Sequence, residues 1–310
     1  MLRRLAIALL AAGLGAGAAR AEDAARPVVI ATLFPVVDFA REIAGDAAEI
    51  VPLLPPGAEA HSYAPTPADM VRLSSARLFL YVSPDMETWV PGLVANAPAT
   101  LLVRAVAPES EADAGHEVEE HEPGDDCGHD HHGHDPHVWL DPLQALDMAD
   151  RIAAALAAAD PAQAGQYQAN AAALKSRLME LHNDIFAGLA DCRSRVIICG
   201  GHFAFGHFAE RYGLRHLSPY AGFSPNAQPS PRALAELVRT MRTLDATAIF
   251  YEEILDPKLA RVLADETGAR LRPLHSMHNM TREDIAAGAT YFTLMRRNLE
   301  NLRAGLGCAP

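Results

Sequence analysis

Short runs of β-forming hydrophobic residues alternate with helix-period segments along most of the chain. In the first half, such runs predict strands at 27–33, 49–54, 77–82 and 100–103. The second half repeats the scheme, with predicted strands at 195–199, 214–218, 247–251 and 270–274. Apolar residues at helical spacing predict helices at 39–44, 67–75, 231–243, 257–267 and 282–306. This alternation is typical of βαβ units, so we predict an α/β fold of two similar domains, each with a mostly parallel four-stranded sheet.

Residues 142–190 separate the two halves and differ from them in composition. They are rich in Ala and Leu, contain few β-branched residues and are interrupted only at Asp160 and Pro161. Asp160 suits a helix N-cap and Pro161 the first position of a helix. We therefore predict a short helix followed by a long one of about 30 residues, which would span roughly 45 Å and join the domains as a rigid strut.

Residues 1–21 have the pattern of a cleavable signal peptide. Two arginines precede an apolar stretch at 5–19, which ends in a small-x-small pattern. This stretch is shorter than the roughly 20 residues of a membrane-spanning helix, so we expect export to a bacterial periplasm. The predicted organisation is a signal peptide at 1–21, an N-terminal α/β domain at 22–141, a helical linker at 142–191 and a C-terminal α/β domain at 192–310.

The chain is acidic, with a formal net charge of −13. Cleavage after residue 21 would remove three arginines and no acidic residue, and so would change the net charge to −16. Nucleic acid is excluded as a partner, because phosphate binding needs a basic face. The acidic character suits solubility and the attraction of cations. Separately, we expect the protein to be a monomer.

Four cysteines are present, and an oxidising compartment permits a disulfide between two of them. Cys127 lies among histidines, whereas the other three lie in the second half. We favour the pair Cys192 and Cys308 over Cys192 and Cys199, because Cys192 and Cys308 both follow predicted helices. The sequence leaves both pairings open.

Half of the fourteen histidines lie between His116 and His137, in a segment that also contains acidic residues and glycines. Neutral imidazole is a common ligand of divalent transition metals, and such a segment can bind them without a fold. We predict a His-rich loop at 114–135 with auxiliary weak metal sites at His116, His121, His129, His131, His132 and His134. The alternative is a solvated insertion with no metal role.

Three histidines outside this segment, together with its last member, are candidates for one binding cleft. His61, His202 and His275 each follow a predicted strand, and His137 ends the His-rich segment. In parallel α/β sheets, ligands bind outside the carboxyl ends of the strands. These side chains can therefore converge on one cleft.

Several motifs in order carry a resemblance to a known family. The segments HSYAPTP, HVWLDP, GGHFAFGHFAERYGL and IFYEEILDPKLARVLADETG resemble those of periplasmic zinc-binding proteins (cluster A-I type) that serve metal ABC importers. The resemblance covers essentially the whole mature chain. It implies two α/β domains joined by a rigid helix, with one metal ion at their interface, and it implies His61, His137 and His202 as ligands.

The resemblance leaves the fourth ligand less certain than the other three, because relatives have an acidic residue or water there. This chain reads LHSMH at 274–278, and His275 aligns best with the acidic position, with His278 as the alternative. Four imidazoles suit tetrahedral Zn(II) and disfavour manganese, which prefers oxygen ligands. Copper(II) and nickel(II) also bind imidazole, so Zn(II) is the prediction and those two metals are its alternatives.

A ligating imidazole normally donates its other N–H group to a carboxylate or a carbonyl. By resemblance, Glu252 is the predicted acid, with Glu253 and Asp284 as weaker candidates. His207 is interpreted as a packing or surface residue, because it lies off the face of His202 on a predicted helix. The same interpretation applies to His182 and His216.

The resulting prediction is a periplasmic receptor that captures Zn(II) and delivers it to an ABC permease, with a periplasmic metallochaperone as a further candidate partner. It should not be an enzyme, because four protein ligands leave no position for a reactive water. Three alternatives remain: a zinc buffer or chaperone, a metal-dependent adhesion protein, and a zinc hydrolase. The hydrolase is the weakest of these, because the chain has no HExxH motif.

Overall fold

A computed structural model of the protein describes residues 26–107, 135–201, 203–220, 229–252 and 257–309. The first half is built on one parallel sheet in the order β2–β1–β3–β4. Its strands are β1 (Val28–Ala31), β2 (Glu49–Pro52), β3 (Leu78–Tyr81) and β4 (Leu102–Ala105). Its helices are α1 (Phe34–Ala44), α2 (Pro67–Ser74) and α3 (Val90–Val94). The central strands β1 and β3 are almost entirely buried, which explains why they are continuous hydrophobic runs.

The predicted pair of helices between the halves is confirmed as α4 (Pro142–Ala159) and α5 (Ala164–Gly188). Asp160 acts as the expected cap by accepting the Ala162 N–H, but the turn that it caps is a short 3₁₀ helix. The long helix therefore starts later than predicted and has 25 residues, or about 37 Å. Both helices pack against each other and against α1, so this segment also closes the core of the first half.

The second half contains strands β5 (Val196–Ile198), β6 (Arg215–Leu217), β7 (Ala248–Glu252) and β8 (Arg270–Leu274). Its helices are α6 (Gly206–Arg211), α7 (Pro231–Thr243), α8 (Lys258–Thr267), α9 (Arg282–Ala286) and α10 (Tyr291–Leu306). Strands β5 and β6 form one parallel pair and β7 and β8 another, and a parallel bridge from Cys199 to Phe250 joins the pairs. The resulting order, β6–β5–β7–β8, repeats the order of the first half.

Two details of the second half differ from the prediction. The four parallel strands form two short pairs rather than one continuous ladder. The helix predicted at 282–306 is two helices, because Gly288 has a positive φ of 63° and Thr290 caps a new helix. This break turns the chain so that α10 can pack against β8 and α5.

A continuous hydrophobic core connects the two halves. Trp139 and Tyr291 lie at its centre, and the Tyr291 hydroxyl donates a hydrogen bond of 2.6 Å to the Trp139 carbonyl. The Tyr291 ring also meets Phe39 edge to face, with ring centroids 4.8 Å apart. These contacts join α1, the turn at Val138–Leu140 and the start of α10.

The structure forms the favoured disulfide between Cys192 and Cys308, which ties the end of α5 to the end of α10. Cys199 is buried and takes no part in it. No helix in the described part of the chain combines the length and apolar character that crossing a membrane requires. The predicted signal peptide and the six auxiliary histidines lie outside the described residues.

Candidate metal site

Three imidazole rings from different parts of the chain converge at one point. His61, His137 and His278 each offer a nitrogen, and these atoms all lie within 4.8 Å of one another. The Nε2 atoms of His61 and His137 are 3.2 Å apart. His137 and His278 are buried, whereas His61 is partly exposed. Three converging imidazoles form a donor set that suits a divalent transition metal.

His61 lies in the loop between β2 and α2, and several contacts fix this loop. The Glu59 carboxylate accepts the N–H groups of His61 and Ser62 at 3.0 and 2.9 Å. The Trp89 indole N–H donates to the Ala60 carbonyl at 2.9 Å. Beyond the loop, Thr66 starts α2 with a reciprocal capping box. Because these contacts are local to the first half, His61 belongs to a loop with a defined conformation.

His137 stands just before the 3₁₀ turn at Val138–Leu140 and is completely buried. One carboxylate oxygen of Asp135 accepts the His137 backbone N–H at 3.1 Å and lies 2.6 Å from its Nδ1. This contact leaves Nε2 directed at His61. Trp139 packs edge-on against both His137 and His278, with centroids 5.4 and 5.5 Å apart. The Trp139 N–H also donates to the Ser276 carbonyl at 2.8 Å, which joins this turn to the loop after β8.

His278 lies in the loop after β8. Its Nδ1 is 3.0 Å from the Ser276 hydroxyl and 3.8 Å from a carboxylate oxygen of Glu252. Glu252, the acid that we predicted to orient a ligand, is buried at the end of β7 and lies near the Nδ1 side of His278. Both contacts are to Nδ1, on the opposite side of the ring from Nε2.

His275, the sequence-based choice for the fourth ligand, is not among the converging rings. Its Nδ1 accepts the Met277 N–H at 3.0 Å, and its Nε2 lies 3.2 Å from the Asp284 carboxylate. Asn298 on α10 bonds both the N–H and the carbonyl of His275, at 2.7 and 2.9 Å. Burial lowers the pKa of His275, against the opposing effect of Asp284. These contacts direct His275 toward α9 and α10.

Met277 explains why His275 and His278 have different surroundings. It has a φ of 61°, which is uncommon for a residue with a side chain. This left-handed residue turns the chain between the two histidines, so that His278 returns toward His61 and His137. The structure thus brings together His61, His137 and the alternative residue His278, and Asp284 contacts His275 instead of a converging ring.

Two of the predicted site residues, His202 and Glu253, lie outside the described residues. The neighbouring Phe203 stacks on His216 at 4.1 Å, and burial lowers the pKa of His216. His182 contacts the Tyr212 hydroxyl at 3.1 Å. The packing roles predicted for His182 and His216 agree with these contacts.

His207 has a more specific contact than its predicted packing role. Its Nε2 lies 2.8 Å from the backbone carbonyl of Asp135, and its Nδ1 lies 3.0 Å from the Gln144 amide. Neither this contact of His207 nor a role for Asp135 was predicted from the sequence. An acid two residues before a candidate ligand was the available signal for Asp135, but nothing in the spacing of His207 indicated its partner.

Comparison with known proteins gives a consistent family and fold. Residues 29–305 match the family model described as zinc-uptake complex component A, periplasmic. The chain is 32% identical over 286 residues to the zinc-binding protein AdcA of Streptococcus pyogenes (strain MGAS315), covering 89% of this chain and 55% of the relative. It is 32% identical over 279 residues to the high-affinity zinc uptake system protein ZnuA of Bacillus subtilis, covering 90% and 87%. The chain thus spans about half the length of the AdcA relatives it matches.

Solved structures show the same fold. The Zn(II)-bound ZnuA-like domain of Streptococcus pneumoniae AdcA superposes with a TM-score of 0.73 at 29% identity, covering 91% of this chain and 99% of that domain. The laminin-binding protein Lmb of Streptococcus agalactiae superposes with a TM-score of 0.75 at 27% identity, covering 90% and 99%. Lmb is described as a bifunctional protein with adhesin and metal transporting activity.

Proposed function

Because the chain belongs to the family of the periplasmic component A of zinc-uptake complexes, we propose that it is a receptor that binds Zn(II) and delivers it to an ABC permease. The single observation that carries the proposal is the convergence of His61, His137 and His278. His202, placed by its motif, is the proposed fourth ligand. The zinc-binding relatives support the choice of metal.

The donor set accounts for the binding step. Zinc binds neutral imidazole, so protons compete with the ion for each ligand, and the affinity should fall at low pH. The ring of His61 is the most exposed of the three. An arriving ion can therefore contact His61 first and then exchange water for the buried rings. The net charge of −13 favours the approach of a cation.

The same donor set argues against catalysis. A catalytic zinc keeps one coordination position for water, whereas four imidazoles complete a tetrahedral shell. Carriage of the ion to a permease is therefore the role that fits, and export by the peptide at 1–21 is part of the proposal. Adhesion is a second candidate, which the similarity to Lmb favours. Direct measurement of laminin binding, with and without zinc, tests it.

The first experiment is the zinc content of the purified mature protein, with His137→Ala as the variant and His182→Ala as the control. We expect about one tightly held ion in the wild type and in His182→Ala, and loss of that ion in His137→Ala, because His137 is buried at the point of convergence. A wild type that retains no zinc, or a His137→Ala variant that retains all of it, would overturn the proposed site. ATP-dependent zinc uptake by the permease, reconstituted in proteoliposomes with the receptor outside, tests delivery.

A further inference from the structure

We propose that Asp135 is a positioning residue for the metal site, and that helix α6 of the second half holds Asp135 in place. The inference rests on the proposed function, because it assumes that His137 is a ligand. Asp135 precedes His137 by two residues, and a single oxygen of its carboxylate contacts both the backbone N–H and the ring Nδ1 of His137. Two contacts to one oxygen determine the rotation of the ring as well as the position of its backbone.

The orientation matters because His137 is completely buried. With Nδ1 directed at a carboxylate, Nδ1 carries the hydrogen and Nε2 offers its lone pair toward His61. A carboxylate on the far nitrogen also makes the imidazole a stronger donor, and loss of such a partner typically lowers metal affinity about 10- to 100-fold. Asp135 would thus act on both the direction and the strength of one metal bond.

Helix α6 supplies the contacts that hold Asp135. The His207 ring donates from Nε2 to the Asp135 carbonyl at 2.8 Å, and the Gln144 amide on α4 donates to His207 Nδ1 at 3.0 Å. The Gln144 contact selects the His207 tautomer that can donate to Asp135. The backbone of Asp135 is therefore hydrogen-bonded to the second half of the molecule. Its side chain contacts the ring of His137, which lies beside His61 of the first half.

Gly206 makes room for this arrangement. A Cβ atom at position 206 would stand 2.1 Å from the second carboxylate oxygen of Asp135, which is closer than any real contact. The same Cβ would be 3.9 Å from the Asp135 Cβ, which is an ordinary contact. A residue larger than glycine at 206 must therefore displace the Asp135 carboxylate, but it does not clash with an alanine at 135.

The test compares Asp135→Ala, Gly206→Ala and the double variant, with Gly165→Ala as the control because its Cβ would meet nothing within 4 Å. Zinc affinity is measured by competition with a chelator, Co(II) absorption reports the ligand geometry, and thermal unfolding of the metal-free protein reports stability. We expect each single variant to lose about 10- to 100-fold in zinc affinity and to alter the Co(II) spectrum. The double variant should lose no more than Asp135→Ala alone, because both changes remove one contact.

A purely structural Asp135 would give a different result. In that case, Asp135→Ala would lower the unfolding temperature but leave the affinity and the Co(II) spectrum of the folded protein unchanged, and the inference would be overturned. Additive losses in the double variant would overturn the role of Gly206. If His137→Ala also left zinc binding intact, the proposed function itself would fail, so the two failures are distinguishable.

Discussion

At the scale of single residues, two histidines that are three positions apart have different surroundings. His278 faces two other imidazoles, whereas both nitrogens of His275 contact its own loop and Asp284. We predict that His278→Ala loses tight zinc binding. His275→Ala should keep its zinc and lower the free energy of unfolding by about 1–3 kcal/mol, because it leaves buried partners unsatisfied. Zinc content and urea unfolding of both variants check this prediction, and the opposite pattern would return His275 to the ligand set.

A second residue-scale prediction concerns Glu87. Its carboxylate is completely buried and accepts the Val82 and Ser83 N–H groups and the Thr32 hydroxyl. Burial raises the pKa of Glu87 to about 7, against these hydrogen bonds. In the native state Glu87 therefore keeps its proton up to a higher pH than it does in the unfolded state.

It follows that the contribution of Glu87 to stability falls as the pH rises from about 4.5 to about 7, by an amount on the order of 3 kcal/mol. Glu87→Gln can keep the backbone contacts through its amide oxygen but does not ionise. We expect it to flatten the dependence of unfolding free energy on pH across this interval and to stabilise the protein at pH 8. Urea unfolding from pH 5 to 8 measures the effect, with exposed Glu49→Gln as the control. Parallel pH curves for wild type and Glu87→Gln would contradict the prediction.

At the scale of elements, the loops that follow β2 and β8 are bonded directly to each other. The Asn279 amide donates to the carbonyls of Pro55 and Ala58 at 2.7 and 3.0 Å, and the Gly57 N–H donates to the Met280 carbonyl at 3.0 Å. These loops also carry His61 and His278. The cross-loop bonds therefore determine the distance between two of the converging rings.

We predict that Asn279→Ala weakens zinc binding about 10-fold or more and lowers the free energy of unfolding by about 1–3 kcal/mol, because two carbonyls lose their donor. Asn279→Asp should behave similarly, since a carboxylate has no hydrogen to donate. Calorimetric titration with zinc checks the prediction, with Asn96→Ala as the exposed control. Unchanged affinity in both Asn279 variants would mean that packing alone holds the loops together.

The disulfide is a second element-scale feature. Cys192 and Cys308 close a loop with a sequence separation of 116. Cross-linking a loop of this length stabilises a protein by about 4–5 kcal/mol in the chain-entropy model. We expect the double variant Cys192→Ser and Cys308→Ser to unfold at a markedly lower urea concentration. It should keep its zinc, because Cys192 precedes β5 whereas the proposed ligand His202 follows that strand in the sequence. Loss of zinc in the folded variant would connect the disulfide to the site.

At the scale of the whole molecule, the site combines two halves that repeat one strand order. His61 comes from the first half and His278 from the second, and His137 lies just before α4. The hydrogen bonds from Trp139 to Ser276 and from Tyr291 to Trp139 hold this junction together. Metal binding should therefore depend on the packing of the halves as well as on the ligands.

The proposed role of Asp135 also limits how much of the His-rich loop can be removed. Deletion of 114–134 should keep one tight zinc ion and remove only weaker additional sites. A deletion that extends to Asp135 should also weaken the tight site, because it removes the partner of His137 Nδ1. Metal stoichiometry and affinity of the two deletion variants check this, with linkers of matched length. Equal affinity in both would argue against Asp135, and loss of the tight ion in the shorter deletion would place that ion on the loop.

The sequence by itself determined the features that depend on neighbouring residues. Hydrophobic periodicity predicted the eight strands, and Asp160 and Pro161 marked the boundary between α4 and α5. A position just after a predicted strand indicated His61, and the motif at the end of the His-rich segment indicated His137. These features follow from backbone hydrogen bonding and local burial, which a short window of residues encodes. The motifs likewise indicated the family, because they preserve order and spacing over the whole chain.

Only the tertiary structure decided which way each side chain points. The left-handed Met277, together with Asp284 and Asn298, directs His275 away from His278. The contact between Asp135 and α6 joins residues about 70 positions apart in the sequence. The hydrogen bond from Asn279 to the loop at 55–58 joins residues more than 200 positions apart. No local pattern encodes such contacts, because they arise only when separate elements pack. For this reason the sequence indicated the region of the site, and the fold selected the residues that meet there.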